Sequence, residues 1–242
     1  MKRRAFLEGS LLVAATGLAA SACKKPPRKP IDATHGGIPF KELVHVEPDD
    51  ALPIVVAIHG NGGAPEHWVE PWSKFPGRAR IVLPQGFEKF EEGYAWFAAS
   101  KDFASEKLAA DVSSAEERLW KGIAALAGGK RIVVAGYAEG ATLAYLLALR
   151  HADAIAGAFP VAGALPTRLY PQEKGQEKPK SAPVTAFHGK LDEVIPVQAA
   201  RDTIAAFTKQ GLRATLKEYE GVRHRPSDEL HADLDTAMLA AR

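Results

Sequence analysis

Between Arg131 and Leu149 the sequence changes character twice within a few residues. Arg131-Ile132-Val133-Val134-Ala135 is short and β-branched, the pattern of a strand buried on both faces. Thr142 to Leu149 is rich in alanine and leucine and reads as a helix packed under a sheet. Only Gly136-Tyr137-Ala138-Glu139-Gly140-Ala141 separates them. A strand that turns into a helix over so few residues needs a sharp corner, and the helix must lie close against the neighbouring strands. Glycines at the first and fifth positions meet both demands. The pattern is G-x-S-x-G with alanine at its centre: Ala138 stands where that motif carries serine.

The rest of the chain repeats the alternation. Ile54 to Ile58 is a continuous apolar strand that ends on His59-Gly60-Asn61-Gly62-Gly63. Arg80 to Leu83, stopped by Pro84, is another strand, and Leu43 to Glu47 is a weaker one. A helical piece is expected from Glu66 to Phe75, broken or kinked at Pro71. The aromatic stretch from Gln85 to Phe103 reads as a long loop, either packed on the core or forming a substrate wall. Ser105 is placed to cap a helix whose stripe Leu108, Val112, Ala115, Leu119, Ile123 and Leu126 faces the core, and Gly128-Gly129 ends it. Further strands are expected at Ala154 to Ala162, Val184 to Phe187 and Ala214 to Tyr219. Helices are expected at Pro196 to Gln210 and around Leu230, Leu234 and Met238. Leu165 to Ser181, polar and proline-rich, reads as a surface loop or small lid. Strands alternating with helices give one α/β domain over residues 38–242, a mainly parallel sheet with helices on both faces. The 242-residue length suits one such domain. Ligands of such sheets bind beyond the carboxyl ends of the strands.

The first 22 residues have a basic start, an apolar middle and small residues before Cys23, which is the chain's single cysteine. They read as a signal peptide, too short for a comfortable membrane span. Lys2-Arg3-Arg4-Ala5-Phe6-Leu7 resembles a twin-arginine export motif. Ala20-Ser21-Ala22-Cys23 resembles a bacterial lipobox, in which the cysteine is lipidated, although that motif usually has leucine where Ala20 stands. Ordinary cleavage there would instead release a soluble exported protein. Residues 23–37, proline- and lysine-rich, read as a lipidated cysteine and a flexible tether. Lys2, Arg3 and Arg4 against Glu8 account for the small excess of 31 basic over 29 acidic residues, so the domain itself is neutral. Nothing in its charge calls for a nucleic-acid partner.

Four motifs fall at strand ends in the order glycine-rich loop (His59 to Gly63), elbow (Gly136 to Gly140), acid (Asp192, in His188-Gly189-Lys190-Leu191-Asp192) and histidine (His224, in Tyr219-Glu220-Gly221-Val222-Arg223-His224). Together they resemble the α/β-hydrolase superfamily and, more narrowly, its small carboxylesterase/phospholipase group, over about Pro53 to Arg242. The resemblance implies that Asp192 orients His224 and that His224 takes a proton from a nucleophile at position 138. It also implies an oxyanion hole made by the backbone N–H of Glu139 and one from Gly60, Asn61 or Gly62. His59 reads as a residue that shapes its turn.

Ala138 leaves four readings open. A methyl group cannot attack a carbonyl, so no acyl-enzyme forms there. The chain is a degenerate esterase with an ester- or acyl-shaped cavity, an esterase whose serine has been replaced, a slow hydrolase in which Asp192 and His224 activate water, or a binding lipoprotein of the cell envelope. Ser100, Ser105, Ser113, Ser114 and Thr142 offer no obvious substitute nucleophile, and Ser227 reads as a helix cap. His224, Asp228, His231 and Asp235 have helical spacing but read as a solvated face and not as metal ligands. Trp68, Trp72 and Trp96 either line a pocket or pack the core. No phosphate loop or dinucleotide fingerprint is present, so no cofactor is implied.

Overall fold

A computed structural model describes residues 29–44, 52–173 and 178–241. The expected signal peptide and Cys23 lie outside the described residues. The elements in chain order are β1 (Lys29–His35), β2 (Ile38–Val44), β3 (Ile54–Ile58), α1 (Pro65–Ser73), β4 (Arg80–Pro84), β5 (Glu88–Phe90) and β6 (Gly93–Ala95). They continue with α2 (Glu106–Ala127), β7 (Ile132–Tyr137), α3 (Glu139–Arg150), β8 (Ile155–Val161), β9 (Val184–Gly189), α4 (Val197–Lys209), β10 (Ala214–Tyr219) and α5 (Asp228–Ala240). Eight strands form one sheet in the order β1-β2-β4-β3-β7-β8-β9-β10. All neighbours from β4 to β10 run parallel, and β1 and β2 join antiparallel at one edge.

Alternation along the strands divides the core into two layers. Ile54, Val56, Ile58, Ile132 and Val134 face α2, α3 and the Phe207 side of α4. Val55, Ala57, Val133 and Ala135 face Trp72 of α1 and Leu230, Leu234 and Met238 of α5. The β3 and β7 strands are therefore apolar at every position because both of their faces are covered. The stripe expected on α2 is buried, and Ser105 caps that helix by accepting the Leu108 N–H at 3.3 Å. Ser227 caps α5 in the same way through the Leu230 N–H at 3.2 Å. Pro71 does not break α1, which runs one turn's fraction further to Ser73.

Two expectations at the amino-terminal edge need correction. The tether expected over residues 23–37 gives way at Lys29 to an edge strand, and the strand sought at Leu43 to Glu47 begins at Ile38 instead; 45–47 lie outside the described residues. The signal is a hairpin turn. His35 pairs with Ile38 across Gly36 and Gly37, whose φ values of 57° and 80° are those of a two-residue turn matched to strand twist. Most of β1 is exposed, so it buries no apolar stripe; backbone pairing with β2 holds it in place. Glu42 of β2 is buried, taking 2.7 Å from Arg80 Nε and 2.6 Å from His35 Nε2, which ties the hairpin to β4.

At the centre of the sheet, α3 starts against the strand ends with no space to spare. A Cβ on Gly136 would lie 2.0 Å from the Gly140 carbonyl oxygen, and one on Gly140 would lie 2.2 Å from that of Ile58. Backbone blocks both directions. Gly140→Ala should therefore unfold or strongly destabilise the domain, by several times the effect of Gly128→Ala. Gly128 has φ 56° but nothing within 4 Å of an added Cβ, so alanine there costs about 1 kcal/mol. Urea denaturation of the two variants tests the contrast, and equal midpoints would refute it.

Candidate active site

The elbow geometry is present without the serine. Ala138 sits at φ 52° and ψ −111°, a conformation that costs a residue with a Cβ on the order of 1–3 kcal/mol. The turn is pinned on both sides: the Ala138 N–H donates to the Val161 carbonyl at 3.0 Å, and its carbonyl accepts the Ala141 N–H at 3.0 Å. Position 138 is held by its neighbours. The Glu139 N–H follows immediately as the first of α3, one of the donors that a helix leaves without an intrahelical acceptor.

Two loops bring the acid and the histidine together. Lys190 N–H donates to the Tyr219 carbonyl at 2.9 Å and Leu191 N–H to that of Val222 at 2.9 Å, so the loops after β9 and β10 are latched side by side. Asp192 Oδ2 then lies 2.8 Å from His224 Nδ1. Asp192 Oδ1 accepts the N–H groups of Val194 and Ile195, each at 2.9 Å. His188 Nε2 lies 3.2 Å from Oδ2 and 2.8 Å from the Ile195 carbonyl. Both partners of that nitrogen are acceptors, so it carries the proton. Burial pushes the Asp192 carboxyl up, but the donors from His188, His224 and Ile195 outweigh it and hold the group well below the usual carboxylate range. The acid is thus a fixed negative charge. With Nδ1 of His224 on Asp192, the far ring nitrogen is left for the cavity.

Tyr137 supports this histidine from beneath. Its hydroxyl donates to the His224 carbonyl, and its ring stands 5.2 Å from the imidazole and 6.1 Å from Trp68. Neither Tyr137 nor His188 was assigned a role from the sequence; each lies inside a recognised motif, where its neighbours drew the attention.

The glycine-rich loop is organised by His59. Its Nδ1–H donates to the Gly60 carbonyl at 2.7 Å and its Nε2 accepts the Gly86 N–H at 3.1 Å. That fixes one neutral tautomer, and burial holds the imidazole below its ordinary pKa. His59 shapes the turn. Trp96 lies against it at 4.9 Å between ring centroids and donates from Nε1 to the His59 carbonyl at 2.8 Å. One oxyanion candidate drops out: the Gly62 N–H donates to the Tyr94 carbonyl at 3.0 Å, because the β5–β6 hairpin pairs with this loop. Asn61 remains, and it lines the cavity together with Glu139. Gly60 stands next to the elbow, since a Cβ there would come within 3.1 Å of the Ala138 methyl.

These groups surround a cavity of about 550 Å3 at the carboxyl ends of the strands. Ala138, Glu139, Asn61 and His224 face it, and Phe97, Phe103, Leu108, Pro166, Val194 and Ile195 supply apolar wall. Within the aromatic stretch, Trp96 packs in the core as one of the two readings expected, while Phe97 and Phe103 line the cavity. Three hydroxyls lie on the lining. Tyr137 is committed to His224, Thr142 donates to the Ala164 carbonyl at 2.9 Å, and Ser100 accepts the Asp102 N–H at 3.1 Å, with no basic partner among the described residues. None is placed as a nucleophile. Trp68 and Trp72 line a different cavity of about 420 Å3 between α1 and α5, with Asp228, His231 and Asp235. Among the described residues no histidine, cysteine, aspartate or glutamate cluster has the form of a metal site.

Glu139 also carries a buried carboxyl. Its Oε2 accepts the Trp96 N–H at 3.0 Å, while Oε1 is buried with no partner among the described residues. Burial pushes this acid up to about 7, against a weaker opposite pull from the Trp96 N–H. In the unfolded chain the group ionises near 4.5, so between about 4.5 and 7 unfolding releases a proton and stability falls as pH rises. Glu139→Gln should remove that slope and gain on the parent, by on the order of 3 kcal/mol at most, as pH rises from about 5 to about 8. Urea midpoints of both proteins at the two pH values check this, and parallel slopes would contradict it.

Comparison with known proteins agrees with this geometry. Residues 41–237 match the phospholipase/carboxylesterase family. A probable carboxylesterase from Oryza sativa subsp. japonica is 27% identical over 142 residues, which are 56% of this chain and 60% of that protein's length. Two of the solved structures that share the fold illustrate this. Esterase PE8 superposes with a TM-score of 0.67 at 21% identity, covering 82% of this chain and 95% of the other. Acyl-protein thioesterase 2 of Zea mays superposes with a TM-score of 0.64 at 19% identity, covering 84% and 98%. With its elbow, acid and histidine gathered at one end of a parallel sheet, the chain belongs to the phospholipase/carboxylesterase family of α/β hydrolases.

Proposed function

We propose that the protein is a degenerate esterase: it retains a cavity for an ester- or acyl-shaped ligand but forms no acyl-enzyme. One observation carries the reading. His224, held by Asp192 at 2.8 Å, shares a cavity with an elbow residue in a strained conformation at the nucleophile's position, and that residue ends in a methyl group. Removal of a triad nucleophile costs about 10⁶ in turnover, leaving roughly 10³–10⁴ over water from the oxyanion donors and binding. The remaining machinery supports restoration. Ala138→Ser places a hydroxyl on a backbone already bent for it. It should raise p-nitrophenyl butyrate hydrolysis by several orders of magnitude and introduce labelling by a fluorophosphonate. The added activity should vanish when His224→Ala is combined with it. An inert Ala138→Ser protein that is folded by circular dichroism would overturn the reading.

The location we propose is the cell envelope, with the domain held to a membrane through a lipid on Cys23. Support comes from the sequence: the paired arginines Arg3 and Arg4, the apolar stretch after them, and Ala20-Ser21-Ala22 before the cysteine. Radiolabelled palmitate should enter the full chain in a bacterial host and be absent from Cys23→Ala. A soluble, unlabelled parent protein would refute the anchor.

A further inference from the structure

We propose that the cavity is a binding site for the carboxylate of a free acyl chain, and that the carboxylate is preferred over the corresponding ester. The inference rests on the reading above, in that the oxyanion donors and the Asp192–His224 pair keep the places the family gives them.

The argument begins with what the methyl group removes. In an elbow that carries serine, the hydroxyl stands between the first N–H of the helix and the histidine. At Ala138 that oxygen is missing, while the groups on either side remain on the cavity: Glu139 and Asn61 on one side, His224 on the other. A carboxylate has two equivalent oxygens with a short, fixed separation. One can take the backbone donors of Asn61 and Glu139; the other can take the place of the missing hydroxyl, against the far nitrogen of His224. An ester offers one good acceptor and a weakly basic alkoxy oxygen, so it satisfies only half of this set.

Charge points the same way. The buried Asp192 carboxylate, which takes two backbone N–H groups and lies against two imidazoles, holds His224 through Nδ1, and a proton on the far nitrogen makes that nitrogen a charge-assisted donor to an anion in the cavity. The N-terminus of α3, 12 residues long, aims its positive end at the same point. Lys101 stands on the rim. Among the described residues the one acid on the lining is Glu139, and its burial keeps it in the uncharged form over the acid side of neutrality, so it does not repel an anion there. The apolar wall made by Phe97, Phe103, Leu108, Val194 and Ile195 then receives the hydrocarbon chain. No covalent step is involved: the head group is held by hydrogen bonds alone and leaves unchanged.

Calorimetric titration at about pH 6 of the full folded domain with octanoate, methyl octanoate and octanol tests the preference. Octanoate should bind about tenfold or more tightly than methyl octanoate, the worth of one charge-assisted bond. In His224→Gln the two should become equal. Should that variant fail to fold, [1-¹³C]octanoate bound to the parent protein gives the same answer: the bound carboxyl should stay ionised to lower pH than the free acid. A bound acid that titrates higher than free, or methyl octanoate binding as well as octanoate, overturns the carboxylate preference. If Ala138→Ser still gains esterase activity in that case, the degenerate-esterase reading stands alone. If no probe binds and Ala138→Ser is inert, both fall together.

Discussion

The closeness of α3 to the ends of β3 and β7 is the constraint on which the site depends. Only the lack of a Cβ at Gly136 and Gly140 lets helix backbone reach within van der Waals distance of the Ile58 carbonyl. That approach has three consequences at once. It forces position 138 into φ 52°, it lifts the side chain of that residue into the cavity, and it leaves the Glu139 N–H at the helix start beside it. The glycine-rich loop after β3 is drawn in by the same contact, because Gly60 abuts the elbow directly. A site that would otherwise need several loops to be placed independently is placed by one packing interaction.

The acid–histidine pair has a different logic, and its two members are kept for different reasons. Asp192 receives two backbone N–H groups and lies against two imidazoles. Replacing it by an apolar residue would leave buried donors unsatisfied, at about 1–3 kcal/mol each. Asp192 is therefore required by the loop whether or not any reaction occurs. His224 is not in that position. Its side chain is 21% exposed, and its backbone carbonyl, not its ring, receives the Tyr137 hydroxyl. The imidazole contributes one hydrogen bond to the fold, so its presence on the cavity wall is better explained by what enters the cavity.

Much of this was legible in the sequence because the relevant signals are local. Gly136 and Gly140 mark the elbow, β-branched runs mark strands covered on both faces, and Ser105 and Ser227 mark helix starts. Other parts were not legible, and each failure has a physical cause. The β1 strand is held by backbone pairing at an exposed edge, so its side chains carry no apolar period, and only Gly36-Gly37 betrays the hairpin. The Gly62 N–H is taken by Tyr94, a residue 32 positions away in a hairpin that no pattern announced. His188 serves Asp192 through a contact four residues distant that follows strand rather than helix geometry. The burial of the Glu139 carboxyl depends on Trp96, brought over by the same aromatic stretch.

The strained conformation of Ala138 bears on what holds the elbow in shape. If the unusual φ and ψ depended on a hydroxyl hydrogen bond, its loss would let the turn relax, and the cavity would lose its form with it. The bonds that pin the turn are instead backbone bonds to Val161 and Ala141, and the steric limits are set by Gly136, Gly140 and the neighbouring strand. The corner therefore accepts serine or alanine alike, because nothing that shapes it depends on the side chain beyond Cβ. Around the Ala138 methyl stand the Glu139 N–H on one side and His224 on the other, and both are held in place by packing and backbone bonds that involve no side-chain oxygen at position 138.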